Sequence, residues 1–247
     1  MFLFFGHGEG DSGATGNGYN EVDLTKELAI NIYNLLVGKG VKVFTNINNG
    51  YNNYNRNLTS GQNFTYKMGC TIHFNSASGN GNGVEIIVPC KEKYLDVETN
   101  ILNEFSKIGF TNRGLKSRDY SSEKWLSRTN GTIVNYTNYY KEIREAWDNG
   151  NSLSIIETCF ISNTNDIKLY QANKIKIAKI IANSYLKEMN KSTYALEEVK
   201  NTTSSTSTTS KGYYQVVTGS FKDKENAEKR VFELKNKGFD SFIQYKE

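Results

Sequence analysis

An α/β fold, with a mostly parallel central sheet flanked by helices and a small C-terminal βαβ module, is what three features of this sequence predict. Short apolar runs alternate with longer stretches whose apolar residues recur every three or four positions. This strand–helix rhythm continues through residue 190, and it argues a parallel sheet because parallel strands need a crossover between them. A Ser/Thr-rich stretch then separates a second, shorter patterned segment from the first.

The predicted strands are Phe2–Phe5, Val41–Thr45, Gly69–Phe74, Val84–Val88 and Leu153–Glu157. The predicted helices lie between and after them. Glu21–Val37 carries Leu24, Leu28, Ile32 and Leu35 on one face, and Val97–Ile108 carries Ile101, Leu102, Phe105 and Ile108. Asn165–Met189 carries Leu169, Ile175, Ile177, Ile180, Ile181 and Leu186. Asn201–Ser210 has no apolar residue to bury and reads as a linker, here taken as 191–212. Beyond it, Tyr214 and Val216 suggest a strand, Asp223–Lys237 an amphipathic helix with Ala227, Val231 and Leu234 inward, and Phe239–Tyr245 a second strand. The expected domains are therefore 1–190 and 213–247.

Composition narrows the function classes. Among 247 residues, 37% are hydrophobic and 13% aromatic, enough for a substantial core. Lys and Arg exceed Asp and Glu by 20 to 18 in residues 1–190 and by 10 to 8 in residues 191–247, so neither part has the concentrated basic face of a nucleic-acid binder. No stretch reaches the roughly 20 apolar residues needed to span a bilayer. Cys70, Cys90 and Cys159 show no CxxC spacing and read as buried thiols of a protein folded in a reducing compartment. The N-terminal Met-Phe-Leu-Phe-Phe is too short for a secretory signal, so synthesis in the cytoplasm is expected.

His7 and His73 are the only two histidines, and each ends an apolar run. Ligands of a parallel sheet bind at the carboxyl ends of its strands, and Glu157 ends a third run, so one sheet edge can bring all three together. Two imidazoles with a carboxylate make a zinc ligand set that leaves a position open. Glu21 is a candidate third ligand, because the Gly-rich loop 13–20 can fold the helix start back onto His7. It is equally well a helix-start carboxylate favoured by the macrodipole. An unpaired buried carboxylate at Glu157 is costly, which suits a general base, although pairing with Arg56 or Arg113 would also account for it.

These residues lie in motifs that resemble the zinc-dependent N-acetylmuramoyl-L-alanine amidases of the Amidase_3 type. The resemblance runs through Gly6–Glu21, Thr71–Asn75, Gly83–Glu85, Asn112–Lys116 and Glu157–Asn163, in that order. It implies zinc ligands at His7, Glu21 and His73, a catalytic carboxylate at Glu157, and cleavage of the amide between N-acetylmuramic acid and L-alanine in peptidoglycan. Asn75 and Asn112 become candidates to line the substrate groove. Arg56 is similar to an arginine that precedes the second histidine strand in the family and anchors a helix to the sheet.

Two departures stand out. Asn151–Ile156 replaces the Pro-Ala-x-Leu lead-in to the catalytic glutamate, and Cys159 stands where a glycine is common. Residues 117–150 do not align. Their Trp125, Tyr139, Tyr140 and Trp147 can contact glycan or peptide, with core packing the default expectation.

Tyr213–Phe221, Glu225–Glu228 and Lys237–Ile243 resemble the first half of a SPOR domain, which implies peptidoglycan binding with a preference for peptide-stripped glycan. A module of 35 residues falls below the size, about 40, at which an isolated domain is usually stable. Pairing of two tails into a homodimer is the expected remedy. The whole layout resembles that of a phage or prophage endolysin. The alternatives are a non-catalytic peptidoglycan binder on an amidase scaffold and a zinc peptidase acting within the peptide stem.

Overall fold

The computed structural model describes residues 1–8, 10–47 and 61–196, together with 223, 224, 226, 227, 230 and 231. The chain divides into two units, Met1–Glu198 and Val199–Glu247. Arg56, the linker stretch 201–210 and both strands expected in the tail lie outside the described residues. Within the second unit, residues 224, 226, 227, 230 and 231 are helical. Ala227 and Val231 are half-buried there and Asp223, Lys224, Asn226 and Arg230 exposed, as the amphipathic pattern requires.

The first unit is built on a seven-stranded sheet. Its strands are β1 (Phe2–Phe5), β4 (Phe44–Thr45), β5 (Met68–Asn75), β6 (Val84–Ile87), β7 (Asn112–Arg118), β8 (Trp125–Arg128) and β9 (Ser152–Phe160), in the order β4-β1-β5-β9-β6-β7-β8. A two-stranded ribbon, β2 (Thr15–Gly16) and β3 (Tyr19–Asn20), stands apart. The pairs β1–β4, β1–β5, β5–β9 and β6–β7 are parallel, whereas β6–β9 and β7–β8 are antiparallel. Among the described residues of this unit the helices are α1 (Glu21–Gly38), α2 (Asp96–Lys107), α3 (Lys141–Asp148) and α4 (Thr164–Glu188).

Strand periodicity sorts the side chains into two layers. Leu3, Phe5, Cys70, Ile72, Ile86 and Ile156 enter the main core with α1, α2 and α4. Phe2, Phe4, Ile87, Leu153 and Ile155 face the other way, into a smaller core closed by Ile143 and Ala146 of α3. β1 is buried on both faces, which is why it reads as an unbroken apolar run. In α1 the core takes Leu36, with Leu35 only partly buried. In α4 the expected inward Ile175 is instead 53% exposed, because Tyr170, Ile177 and Ile181 set the buried stripe.

The motif Glu157–Asn163 also has a structural purpose. Asn163 caps α4, its Oδ1 accepting the N–H of Asn165 at 2.9 Å and of Asp166 at 3.1 Å. Asp166 then accepts from Phe160 N at 2.9 Å and Gly83 N at 2.7 Å, tying the end of β9 to the loop before β6. Cys70, Cys90 and Cys159 are buried free thiols.

One buried carboxylate belongs to the core alone. Glu98 on α2 accepts a 2.6 Å bond from Ser154 Oγ, and burial, partly offset by that bond, pushes it from the usual 4.5 to about 7. Between those values the native chain keeps a proton that the unfolded chain has lost, so stability falls as pH rises, by about 1.4 kcal/mol per unit. Glu98→Gln is expected to raise the melting temperature by several degrees at pH 8 and to leave it unchanged at pH 4. An equal shift at both values would assign the effect to packing.

Candidate active site

Parallel pairing of β5 with β9 aligns His73 with Glu157, and antiparallel pairing of β6 with β9 aligns Glu157 with Glu85. Residues so paired project to the same side of a sheet. His73, Glu157 and Glu85 therefore form a row across three strands, on the face that α3 covers only in part.

His7 arrives from β1 in a left-handed backbone conformation, φ 66°, which costs energy for a residue with a side chain and is held by its surroundings. Gly8 and Asp11 exchange backbone hydrogen bonds of 2.9 and 3.0 Å, closing the turn. Asp11 Oδ2 lies 2.8 Å from His7 Nδ1, and its Oδ1 accepts the Gly13 N–H at 2.9 Å. The other ring nitrogen, Nε2, is left facing Glu21 Oε1 at 3.0 Å, and His73 Nδ1 meets the same oxygen at 3.0 Å. The two rings approach edge to face with centroids 5.1 Å apart.

Glu21 is the first residue of α1 and is buried. Its Oε1 accepts the Phe74 N–H and its Oε2 the Ala14 N–H, each at 3.0 Å, so the loop does fold the helix start back onto His7. Two glycines leave the room. A Cβ on Gly6 would collide with the His73 ring, and one on Gly13 would fall 2.6 Å from His7 and 2.8 Å from Glu21.

The three donor atoms lie within 4.8 Å of one another. Zinc–ligand bonds of about 2.0–2.1 Å at tetrahedral angles separate ligand atoms by roughly 3.3 Å, so the 3.0 Å spacings fit a metal ion with little adjustment. Asp11 supplies the carboxylate partner that commonly orients a ligating imidazole. Without a cation the cluster shares protons instead. Burial would lower His7, but hydrogen bonds to Glu21 and Asp11 outweigh it and push the ring to about 9. His73 is raised likewise, burial being outweighed chiefly by Glu21. Glu21, despite burial, is held far below the carboxylate range by both imidazoles.

The cluster opens into a cavity of about 340 Å³, lined among others by Asn75, Tyr140, Glu142 and Glu157. Glu157 Oε2 is buried with no hydrogen-bond partner among the described residues. Burial raises its carboxyl to about 7, His73 opposing and Glu21, Glu85 and Glu142 adding to the rise. Arg113 does not pair with Glu157; its Nε goes to Glu85 Oε2 at 2.6 Å, beside Lys116 Nζ at 2.6 Å. Asn75 lies in the cavity wall and donates to Glu85 Oε1 at 3.0 Å. Asn112 does not line the cavity. It sits exposed at the start of β7, its Oδ1 accepting the Gly114 N–H at 2.8 Å.

Asp11 and Glu142 have no role in the sequence reading, while Glu85 enters it only as part of a motif and Tyr140 only as one of four aromatics in the unaligned stretch. Glu142 on α3 accepts a 2.7 Å bond from Thr71 Oγ1 and borders the cavity, with burial raising its carboxyl. Asp11, four residues after His7, carried a signal in its spacing. Glu142 carried none until α3 was placed.

Fold and site together define an α/β protein with imidazoles and carboxylates gathered at the carboxyl ends of parallel strands. The chain belongs to the N-acetylmuramoyl-L-alanine amidase family of the Amidase_3 type, whose pattern matches residues 1–187. The SPOR-domain pattern matches residues 179–245. The sporulation-specific N-acetylmuramoyl-L-alanine amidase of Bacillus subtilis (strain 168) is 26% identical over 251 residues, covering 100% of this chain and 85% of that protein. Among solved structures, Cwp6 from Clostridium difficile superposes with a TM-score of 0.59 at 25% identity, over 75% of this chain and only 28% of its own. The catalytic domain of the CD27L endolysin gives 0.51 at 21% identity, over 75% and 96%.

Proposed function

We propose that the chain hydrolyses the amide joining the lactyl group of N-acetylmuramic acid to L-alanine, with zinc held by His7, Glu21 and His73 and with Glu157 as the general base. The observation that carries this reading is the unpartnered Oε2 of Glu157, buried beside His73 in the cavity that also contains the three-residue cluster. Zinc, when bound there, supplies a Lewis acid for the scissile carbonyl and makes water a better nucleophile near neutral pH.

Glu157 takes a proton from the attacking water as the oxygen bonds to the carbonyl carbon. It then delivers that proton to the nitrogen as the C–N bond breaks, leaving a carboxylic acid on the sugar and a free amine on L-alanine. A carboxyl near 7 is matched to both steps, ionised often enough to accept and acidic enough to donate. Asp11 and Glu21 hold the two rings in place. The C-terminal segment, through its SPOR similarity, would keep the enzyme on the wall.

The biological setting divides between an endolysin and a host lysin. The match along the whole chain to a sporulation-specific amidase favours wall lysis during sporulation, because likeness to the endolysin domain extends to fold alone. Transcription that rises on prophage induction and is silent in sporulation would reverse this choice.

Digestion of purified peptidoglycan, followed by mass spectrometry, tests the chemistry. Stem peptides with free L-alanine N-termini are expected, released with zinc and abolished by chelator. New amines within the stem would make the protein a peptidase. No release, with the protein pelleting on walls, would make it a binder.

A further inference from the structure

The row His73–Glu157–Glu85 continues outward across β7 and β8. Leu115 and Ser117 of β7 are buried, so the alternate residues Lys116 and Arg118 project to the face that bears Glu157. Antiparallel pairing sets Trp125 opposite Arg118 on that face. Tyr140, which lines the catalytic cavity, links the two regions, its ring centroid 6.2 Å from Trp125 and 5.3 Å from Tyr139.

The charges on this ledge already face partners. Arg113 and Lys116 share Glu85, and Arg118 pairs with Glu123 at 2.9 Å while its guanidinium lies 3.7 Å from the Tyr139 ring centre. Part of the aromatic surface stays open, although Tyr139 and Tyr140 are half-buried and Arg118 and Lys116 lie 5.4 and 5.8 Å from the Trp125 ring centre. Trp125 is 48% exposed and Tyr120, the next aromatic beside it in sequence, is 56% exposed. Exposed aromatic surface forfeits burial energy, and a contiguous patch of it commonly marks a binding site. With Arg113, Lys116 and Arg118 engaged by carboxylates and Arg144 by the backbone carbonyls of Asn138 and Tyr139, the ledge suits a neutral polyhydroxylated ring with an apolar face better than an acidic peptide.

We propose that Trp125, with Tyr139 and Tyr140, forms a glycan subsite, a sugar of the peptidoglycan strand lying on Trp125 while the muramoyl amide enters the cavity past Tyr140. The identity of the sugar polymer rests on the amidase reading given above. The C-terminal segment contains no tryptophan, so tryptophan emission reports on the catalytic unit alone.

The test titrates full-length Glu157→Gln protein with a peptide-free N-acetylglucosamine–N-acetylmuramic acid oligosaccharide. A saturable emission change is expected, and it should vanish in Trp125→Phe, which retains Trp147 as an internal reference. Free stem peptide should leave emission unchanged. In the cleavage-competent chain, kcat/KM should rise about tenfold as the glycan lengthens from one disaccharide to three, and Trp125→Ala should abolish that rise. Silence of Trp125 toward glycan, or a response to stem peptide alone, overturns the subsite. A response to glycan from a protein that releases no stem peptide would overturn the amidase reading and leave the subsite standing.

Discussion

Glu157→Gln is expected to lower peptidoglycan hydrolysis by roughly 10²–10⁴-fold, the contribution typical of a general acid–base residue. The change keeps size and shape, removes the charge, and leaves the three-residue cluster intact. Folding should not suffer. A carboxyl raised from 4.5 to about 7 weakens the native state as pH climbs between those values, because the unfolded chain releases its proton first. The metal-free variant should therefore melt higher than wild type at pH 8, so lost activity and lost structure would be separable in one sample. Wild-type kcat should fall on the acid side with a limb set by Glu157, displaced below 7 once a dication sits nearby and favours the ionised form. That limb should vanish in the variant. Activity within tenfold of wild type would remove Glu157 as the base and point across the cavity to Glu142, the other carboxyl raised by burial there.

Most of the fold, and the residues that the structure gathers into the candidate site, were legible in the sequence for one physical reason. Strands buried on two faces leave unbroken apolar runs, as β1 does, and the candidate site residues sit where such runs end. His7, His73 and Glu157 were visible by that rule. β7 was not, because only Leu115 and Ser117 of Asn112–Arg118 are buried while Arg113, Lys116 and Arg118 carry the polar face. β8 is a four-residue edge strand with its tryptophan in solvent, the reverse of the usual pattern. α3 buries just Ile143 and Ala146 in eight residues, too few to show a period. The unaligned stretch 117–150 thus concealed Glu142, and its aromatics divide: Trp125 is 48% exposed against the packing expectation, whereas Tyr139, Tyr140 and Trp147 are half-buried. Ile175 failed in the opposite sense, an apolar residue that the helical stripe leaves in solvent.

Glu21→Gln should cut metal affinity by more than about 100-fold, beyond the 10–100-fold that loss of an outer-shell partner usually costs. One oxygen, Oε1, stands 3.0 Å from both ring nitrogens, so the variant removes the only negative charge between them. Proton release separates this ligand role from a merely structural one. In metal-free wild type at pH 7, His7 is protonated, since hydrogen bonds to Glu21 and Asp11 overcome burial and raise it to about 9. Metal must expel that proton, and calorimetry in buffers of different ionisation enthalpy should detect it. In the variant, burial of His73 is no longer opposed by Glu21, and the proton count on loading should drop. Stability carries the same signature. A histidine raised from 6.5 to about 9 stabilises the metal-free fold fully below 6.5 and loses that contribution as pH climbs through 9. The wild-type slope over that interval should flatten in Glu21→Gln. A variant that binds zinc as tightly as wild type, yet melts lower at every pH, would reduce Glu21 to a clamp between Ala14 and Phe74, and the third ligand would have to come from another carboxylate of the cavity.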